Sequence, residues 1–546
     1  MKVILFLALL VCIGIAVAVI YIQRESSPGE MEHDETYVAA VVDYHPRLWD
    51  DNFTVAEYML TNAVEHVSLI KEAKKLDAEI IVFPECGLTG ITGMLGEAGT
   101  VKPKFKSIDV AIEIPSPVEP FESKGHTFTP DQEVLKVLSD AAKESSIYVV
   151  ANLVEKVNCS TETDCPPEQL IFYNSNIVFN RHGCIISRYR KYNLYGEAVS
   201  AEKEANLCTF ETDFNVTFGM IICFDILFGN PAQRLITEKG VSDIIFSSAW
   251  FSELPFLTAT SVEAGWAHSM DVNLLASGIR NPATGNGGSG IYNGSDGPLA
   301  VTVPLTNDSV LLIAKVPIKP TKHAQTKCSY FSYSSTHSNI GKTEQVGQID
   351  SPRQRQYIKS EYFGDLLLKK DPSLPTMSSE LLEPDSLDPS SIIYSYNKND
   401  LPGFISSISV KWRVNVPLGN STPRYRMVSF NGLRPFGNVR NESVGVCGVV
   451  ACVDETFDSC GEVLPLDSAT KIIFESIELR VKSDSLTLGY LPITMDFGLK
   501  PLPPSVFKFS KEFVHSNQTE PVCIVKMALI KPVQDLFSFA IYKIPD

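Results

Sequence analysis

The chain has 546 residues, 44% of them hydrophobic and 20% charged, with a formal net charge of −17 at pH 7. This is a globular composition with ample core, and the length suggests two or more domains. The acidic balance argues against nucleic acid as a partner, because binding it needs basic patches to neutralise phosphates, and no P-loop, zinc spacing or tandem repeat occurs.

Residues 3–22 are apolar, uncharged and preceded by Lys2. Residues 1–24 therefore read as a signal peptide, with Ala16-Val17-Ala18 offering a cleavage site. The alternative is an uncleaved signal anchor, since the run is long enough to span a bilayer. Either way the rest of the chain faces the secretory lumen, so a secreted protein is expected, tethered to a membrane only if the segment is retained. Asn-X-Ser/Thr sequons at Asn52, Asn158, Asn215, Asn293, Asn307, Asn420, Asn441 and Asn517 agree with that compartment. The C-terminal residues 539–546 lack the apolar tail of a lipid-anchor signal.

Tyr37–Val42 reads as a strand, and Ala56, Leu60, Ala63, Val67 and Ile70 lie at helical spacing between Asn52 and Lys75. Glu79–Phe83 is an apolar strand stopped by Pro84, and it delivers Glu85 at its carboxyl end. Residues 91–126 have no clear period and several prolines, an insertion suited to walling a cleft beside Glu85. A helix is expected over 131–145 and a strand over 147–153. Residues 171–179 and 184–190 form a hairpin turning at 180–183 and ending at Lys191, with Glu197 shortly after.

Gly219–Ile222 is a short apolar run of the kind buried on both faces of a sheet. Cys223 sits where it ends, followed by Asn230 as a helix N-cap and Pro231 at the first position of a helix to Lys239. A residue at such a strand-to-helix turn is lifted into the crevice at the carboxyl ends of the strands. Cys223 is thus a candidate nucleophile, or else a buried structural cysteine. Strand 243–248, helix 259–270 and strand 272–277 continue a β/α alternation that implies an α/β fold with layered sheets.

Residues 321–400 are rich in Ser, Pro, Lys and Asp and read as a connector with partial structure. Over 401–546, alternating segments at 406–414, 445–453, 472–481 and 522–530 predict a β-rich second domain. An oxidising lumen favours disulfides. Cys159 and Cys165 flank a polar loop and are expected to pair, and Cys447, Cys452, Cys460 and Cys523 are expected to staple the C-terminal domain. Cys86, directly after Glu85, complicates the count.

Glu85, Lys191 and Cys223, in that order and each beside an apolar strand, resemble the Glu-Lys-Cys triad of the nitrilase superfamily. Phe-Pro-Glu (83–85), Lys-Tyr-Asn-Leu (191–194), Cys-Phe-Asp-Ile-Leu-Phe (223–228), Asn-Pro-Ala (230–232), Ala-Trp (249–250) and Gly-Ser-Gly-Ile-Tyr (288–292) together are similar to its vanin and biotinidase branch. The likeness covers residues 36–320 strongly. Beyond them it rests on the cysteine-bearing segment from Cys447 to Cys460 and on length. It implies a four-layer αββα carbon–nitrogen hydrolase domain over 36–320 and a base domain over 401–546 that packs against it and shapes access.

Hydrolysing a resonance-stabilised amide needs a strong nucleophile, a sink for the oxyanion and an acid for the leaving amine. A thiol with an ordinary pKa of about 8.5 also needs a base or a nearby cation. Cys223 would attack, Glu85 would accept and return the proton, and Lys191 with the Phe224 backbone N–H would stabilise the oxyanion. Glu197 would orient Lys191 or Glu85. This chemistry needs no metal and no organic cofactor. A Cys-His alternative would draw on His126, His182 or His268. Trp250, Phe251 and Trp266 are candidates for an apolar acyl site, or else core. The resemblance implies a small linear amide as substrate: pantetheine, or biotinyl amides such as biocytin. A silent scaffold serving binding or adhesion is the contrasting expectation.

Overall fold

The computed structural model describes residues 8–11, 16–21, 35–91, 105–115, 132–160, 165–320, 357–359, 366–382, 392–398, 403–414, 423–463, 472–516 and 519–545. The first lobe runs β1 (Ala8–Val11), β2 (Ala16–Tyr21), β3 (Thr36–Asp43), α1 (Val55–Lys75), β4 (Ile80–Val82), α2 (Ser107–Val110), α3 (Glu133–Ser145), β5 (Tyr148–Asn158), β6 (Leu170–Phe179) and β7 (Ile185–Arg190). It continues through β8 (Thr209–Glu211), β9 (Thr217–Ile222), α4 (Arg234–Lys239), β10 (Asp243–Ser248), β11 (Glu253–Leu254), α5 (Ala259–Met270), β12 (Asn273–Gly278), β13 (Ser289–Asn293), β14 (Pro298–Thr302) and β15 (Val310–Pro317).

Helix α1 starts where it does because Thr54 caps it: the Thr54 hydroxyl accepts from the Glu57 N–H, and the Glu57 carboxylate accepts from the Thr54 N–H. Its apolar stripe, including Met59, Ala63, Leu69 and Ile70, packs with α3 onto one face of a sheet ordered β1-β2-β15-β3-β4-β5-β6-β7. The other face of that sheet, with Val41, Ile80 and Val82, meets a second sheet ordered β14-β13-β12-β10-β9-β8. Leu235 on α4 and Val262 and Trp266 on α5 cover the far side of the second sheet. Strands buried on both faces read as continuous apolar runs, and β9 and β10 are such runs. The result is the four-layer αββα sandwich.

The second lobe is a sandwich of two antiparallel sheets. β16 (Tyr357–Lys359) and β17 (Leu367–Lys370) form a small separate sheet with β11, and the strands of the sandwich are β18 (Ser378–Leu381), β19 (Ile392–Lys398), β20 (Phe404–Val414), β21 (Arg424–Phe436), β22 (Arg440–Cys452), β23 (Ile472–Ser483), β24 (Tyr490–Asp496), β25 (Phe507–Ser516), β26 (Thr519–Leu529) and β27 (Leu536–Lys543). One sheet is β18-β21-β22-β27-β24, the other β19-β20-β23-β26-β25. The segment expected as a connector contributes β18, paired with β21, and β19, paired with β20, to these sheets, while its β17 pairs with β11 of the first lobe. The first sheet leans on α5, where a Cβ at Gly265 would sit 2.8 Å from the Pro492 carbonyl oxygen.

Disulfides join Cys159 to Cys165 and Cys452 to Cys460. Cys447 and Cys523, expected as further staples, are free thiols. They lie on β22 and β26, in opposite sheets of the sandwich. Asn293 is corrected as a glycan acceptor: its side chain is buried and its amide donates to Asp296 Oδ2 at 3.2 Å. Asn52, Asn158, Asn215, Asn307 and Asn441 are exposed, while Asn420 and Asn517 lie outside the described residues.

Candidate active site

Three strand ends converge. Chain leaving β4 turns at Pro84 and places Glu85, 2% exposed. Chain leaving β7 places Lys191, 1% exposed. Chain leaving β9 turns into a short 3₁₀ segment, Cys223–Leu227, and Cys223 opens it with φ of +47°. A non-glycine residue in that region is strained, and such strain persists where surrounding structure fixes it. Asp225 does the fixing: its carboxylate accepts from the Ile222 N–H at 3.1 Å, the Asn193 N–H at 2.8 Å and the Tyr189 hydroxyl at 2.7 Å.

The Lys191 ammonium donates to Glu85 Oε1 at 2.8 Å and to Glu197 Oε1. The second oxygen of Glu85 accepts from the Ala249 N–H at 2.8 Å. Desolvation works to lower the Lys191 pKa, but Glu197 and Glu85 outweigh it and hold the ammonium well above its ordinary value. One cation between two carboxylates leaves a net negative charge near the sulfur. Burial and then the Glu85 carboxylate accordingly push the Cys223 thiol up, against the opposing effect of Lys191. A thiol in such surroundings would attack only as its proton leaves.

Sequence reasoning missed the residues that hold Glu85. Asn174 Nδ2 donates to Glu85 Oε1 at 2.6 Å and to Glu197 Oε1 at 3.3 Å. Asn152 Nδ2 donates to Asn174 Oδ1 at 2.8 Å and Asn176 Oδ1 at 3.1 Å, while its Oδ1 accepts from the Cys86 N–H at 3.0 Å. Two asparagines at alternate positions of a buried strand, Asn174 and Asn176, were a legible signal, since buried polar groups must be bonded. Cys86 is buried and has φ of +60°; burial first and Glu85 next push its thiol well up.

The other candidates separate. Tyr195, Phe228 and Phe436 ring the Phe224 side chain, with centroids 5.0, 5.0 and 5.2 Å away. Phe251 lies 6.2 Å from Tyr195, at the edge of this cluster. Trp250 is tied through Nε1 to the Leu257 carbonyl at 2.9 Å, and Trp266 is fully buried core. His182 is exposed in the β6–β7 turn, His268 packs 5.2 Å from Phe507, and His126 lies outside the described residues. Asn230, expected as an N-cap, is extended (φ −112°, ψ 118°), because its carbonyl accepts from Asn193 Nδ2 at 2.8 Å; regular helix begins at Arg234.

A carbon–nitrogen hydrolase family model matches residues 38–264, and a vanin C-terminal domain model matches residues 391–545. Vanin-like protein 1 of Drosophila melanogaster is 32% identical over 95% of this chain and 87% of its own length. A pantetheinase of Mus musculus is 35% identical over 58% of this chain and 61% of its own, and a biotinidase of Bos taurus 35% over 52% and 55%. Among solved structures, Nit3 of Saccharomyces cerevisiae, from the nitrilase superfamily, aligns over 55% of this chain and 96% of its own at 19% identity, with a TM-score of 0.39. The family model and the curated relatives define a nitrilase-type enzyme that hydrolyses carbon–nitrogen amide bonds. Within that superfamily, the chain belongs to the vanin family.

Proposed function

We propose that the chain is a secreted amidohydrolase that opens a small linear amide through a thioester on Cys223, with pantetheine as substrate. The observation that carries this reading is the buried Glu85–Lys191–Glu197 array beside the strained Cys223 turn. Cys223 Sγ attacks the amide carbon while its proton passes to Glu85. Lys191 Nζ and the Phe224 N–H stabilise the oxyanion. Glu85 hands the proton to the nitrogen as the carbon–nitrogen bond breaks, and cysteamine leaves. Glu85 then takes a proton from water, which attacks the thioester and releases pantothenate and the Cys223 thiol.

The mouse pantetheinase relative supports pantetheine, and the equally similar bovine biotinidase supports biocytin as the second reading. Exposed sequons and two disulfides support a secretory route. No helix among the described residues is long and apolar enough to cross a membrane. The test compares thiol release from pantetheine with lysine release from biocytin, using the wild type and Cys223→Ala. Turnover abolished by the substitution is expected, with pantetheine the better substrate. Turnover that survives Cys223→Ala rejects the mechanism, and biocytin alone being cleaved rejects the substrate. No turnover of either points to the silent binding scaffold.

A further inference from the structure

The hairpin of β21 and β22 belongs to the C-terminal domain, yet its tip lies against the site. Phe436 and Arg440 are directly paired across it, and cross-strand partners present their side chains on one face. Phe436 packs 5.2 Å from the Phe224 ring. The Arg440 guanidinium sits 4.0 Å from the Phe228 ring centroid and 5.0 Å from that of Phe224, within cation–π range. At the root of the tip, fully buried Arg434 donates to Asp371 Oδ2 at 3.0 Å and to Glu253 of the first lobe. The hairpin is thereby anchored to the hydrolase domain at two places.

We propose that Arg440 is a positioning residue for the reaction, locking the loop after Lys191 to the turn that carries Cys223. The link is Asn193. Its N–H and Nδ2 both donate to Asp225 Oδ1, at 2.8 and 3.0 Å, and Nδ2 also donates to the Asn230 carbonyl at 2.8 Å. The one polar atom left on that side chain, Oδ1, accepts from Arg440 Nη2 at 3.3 Å. Asn193 is two residues beyond Lys191, and Asp225 two beyond Cys223. Glu442, 2.9 Å from Arg440 Nε, holds the guanidinium from its own strand. Removing Arg440 leaves a nearly buried carbonyl oxygen without its donor and frees Phe224, whose N–H the proposed mechanism assigns to the oxyanion. Catalytic geometry is sensitive to such shifts, a misplacement of about 1 Å costing ~10²-fold. The proposal rests on the Cys223 mechanism given above.

The experiment uses the full chain with Arg440→Ala, Arg440→Met, Arg440→Lys and, as a control on domain contact elsewhere, Lys511→Ala. Lys511 donates to the Ser269 carbonyl at 3.0 Å, away from the hairpin. Two readouts are taken: kcat and KM for the cleaved amide, and the rate at which iodoacetamide alkylates Cys223, followed by peptide mass. Arg440→Met keeps the stem over Phe228 and so guards against misfolding of the alanine variant. Expected is a fall in kcat of about 10²-fold with KM little changed, alkylation slowed about tenfold, partial rescue in Arg440→Lys, and a wild-type-like Lys511→Ala. Wild-type kcat and alkylation in folded Arg440→Met overturn the proposal, as does an equal loss in Lys511→Ala. If no amide is cleaved by any form but alkylation still falls in the Arg440 variants, the positioning role stands and the substrate reading fails.

Discussion

Lys191 and Glu85 meet at 2.8 Å with side-chain exposures of 1% and 2%, and Glu197 shares the same ammonium. Removing one member of a buried ionic set leaves an uncompensated charge, which costs about 3–5 kcal/mol. Lys191→Ala is therefore expected to lower stability by that order, measured by urea unfolding, and to remove turnover by at least ~10³-fold. Glu85→Gln keeps the shape and an acceptor for Lys191, so its stability loss is smaller while turnover is lost equally. Equal stability losses in the two variants would contradict this account.

The pH behaviour of the thiol follows from its surroundings. Burial and Glu85 raise the Cys223 pKa, so alkylation of the free enzyme should rise with pH without a thiolate midpoint at or below about 8.5. A midpoint near neutrality in a stopped alkylation series would mean that Lys191 dominates instead. The raised Lys191 pKa bears on stability as well. Its contribution is fully present below the unfolded value of about 10.4 and is lost as pH rises through the folded value.

His66 stacks 3.9 Å from Phe83, beneath the turn that presents Glu85, and neither ring nitrogen has a hydrogen-bond partner among the described residues. Burial lowers its pKa to about 3. The unfolded chain binds this proton from about pH 6.5 downward and the folded chain does not, so stability falls as pH drops from 6.5 toward 3, by on the order of 4–5 kcal/mol in all. His66→Phe should flatten that limb in thermal melts taken across the range. An unchanged acid limb would show that other groups set it.

Asn174 bridges Glu85 and Glu197 by donating to both. Asn174→Asp replaces two N–H donors with a third carboxylate, and kcat is expected to fall about 10²-fold with KM less affected. Asn174→Ala should be milder, because it removes the bonds without adding charge. Steady-state kinetics that ranked the two the other way would remove Asn174 from the positioning set.

Residue order carried much of this. Glu85, Lys191 and Cys223 each follow a strand, and a strand end in a layered α/β sheet is where a side chain reaches the crevice, so the candidates could be named one at a time. Alternation likewise marked β20, β22, β23 and β26 as strands. The packing of Asn152 against Asn174 was not legible, because it depends on the register of β5 against β6. Nor could spacing tell that Cys447 and Cys523 fall in opposite sheets.

What the amino-acid sequence determined by itself was therefore local: which segments are strands and helices, and which reactive group each one presents at its end, since periodicity and turn chemistry act over a few residues. Tertiary structure alone decided which groups share a charge environment. Lys191 is sequestered between two carboxylates, the Cys223 thiol is buried beside them, and Arg440 reaches the site from another domain, because burial and hydrogen-bond geometry arise only when distant strands pack together.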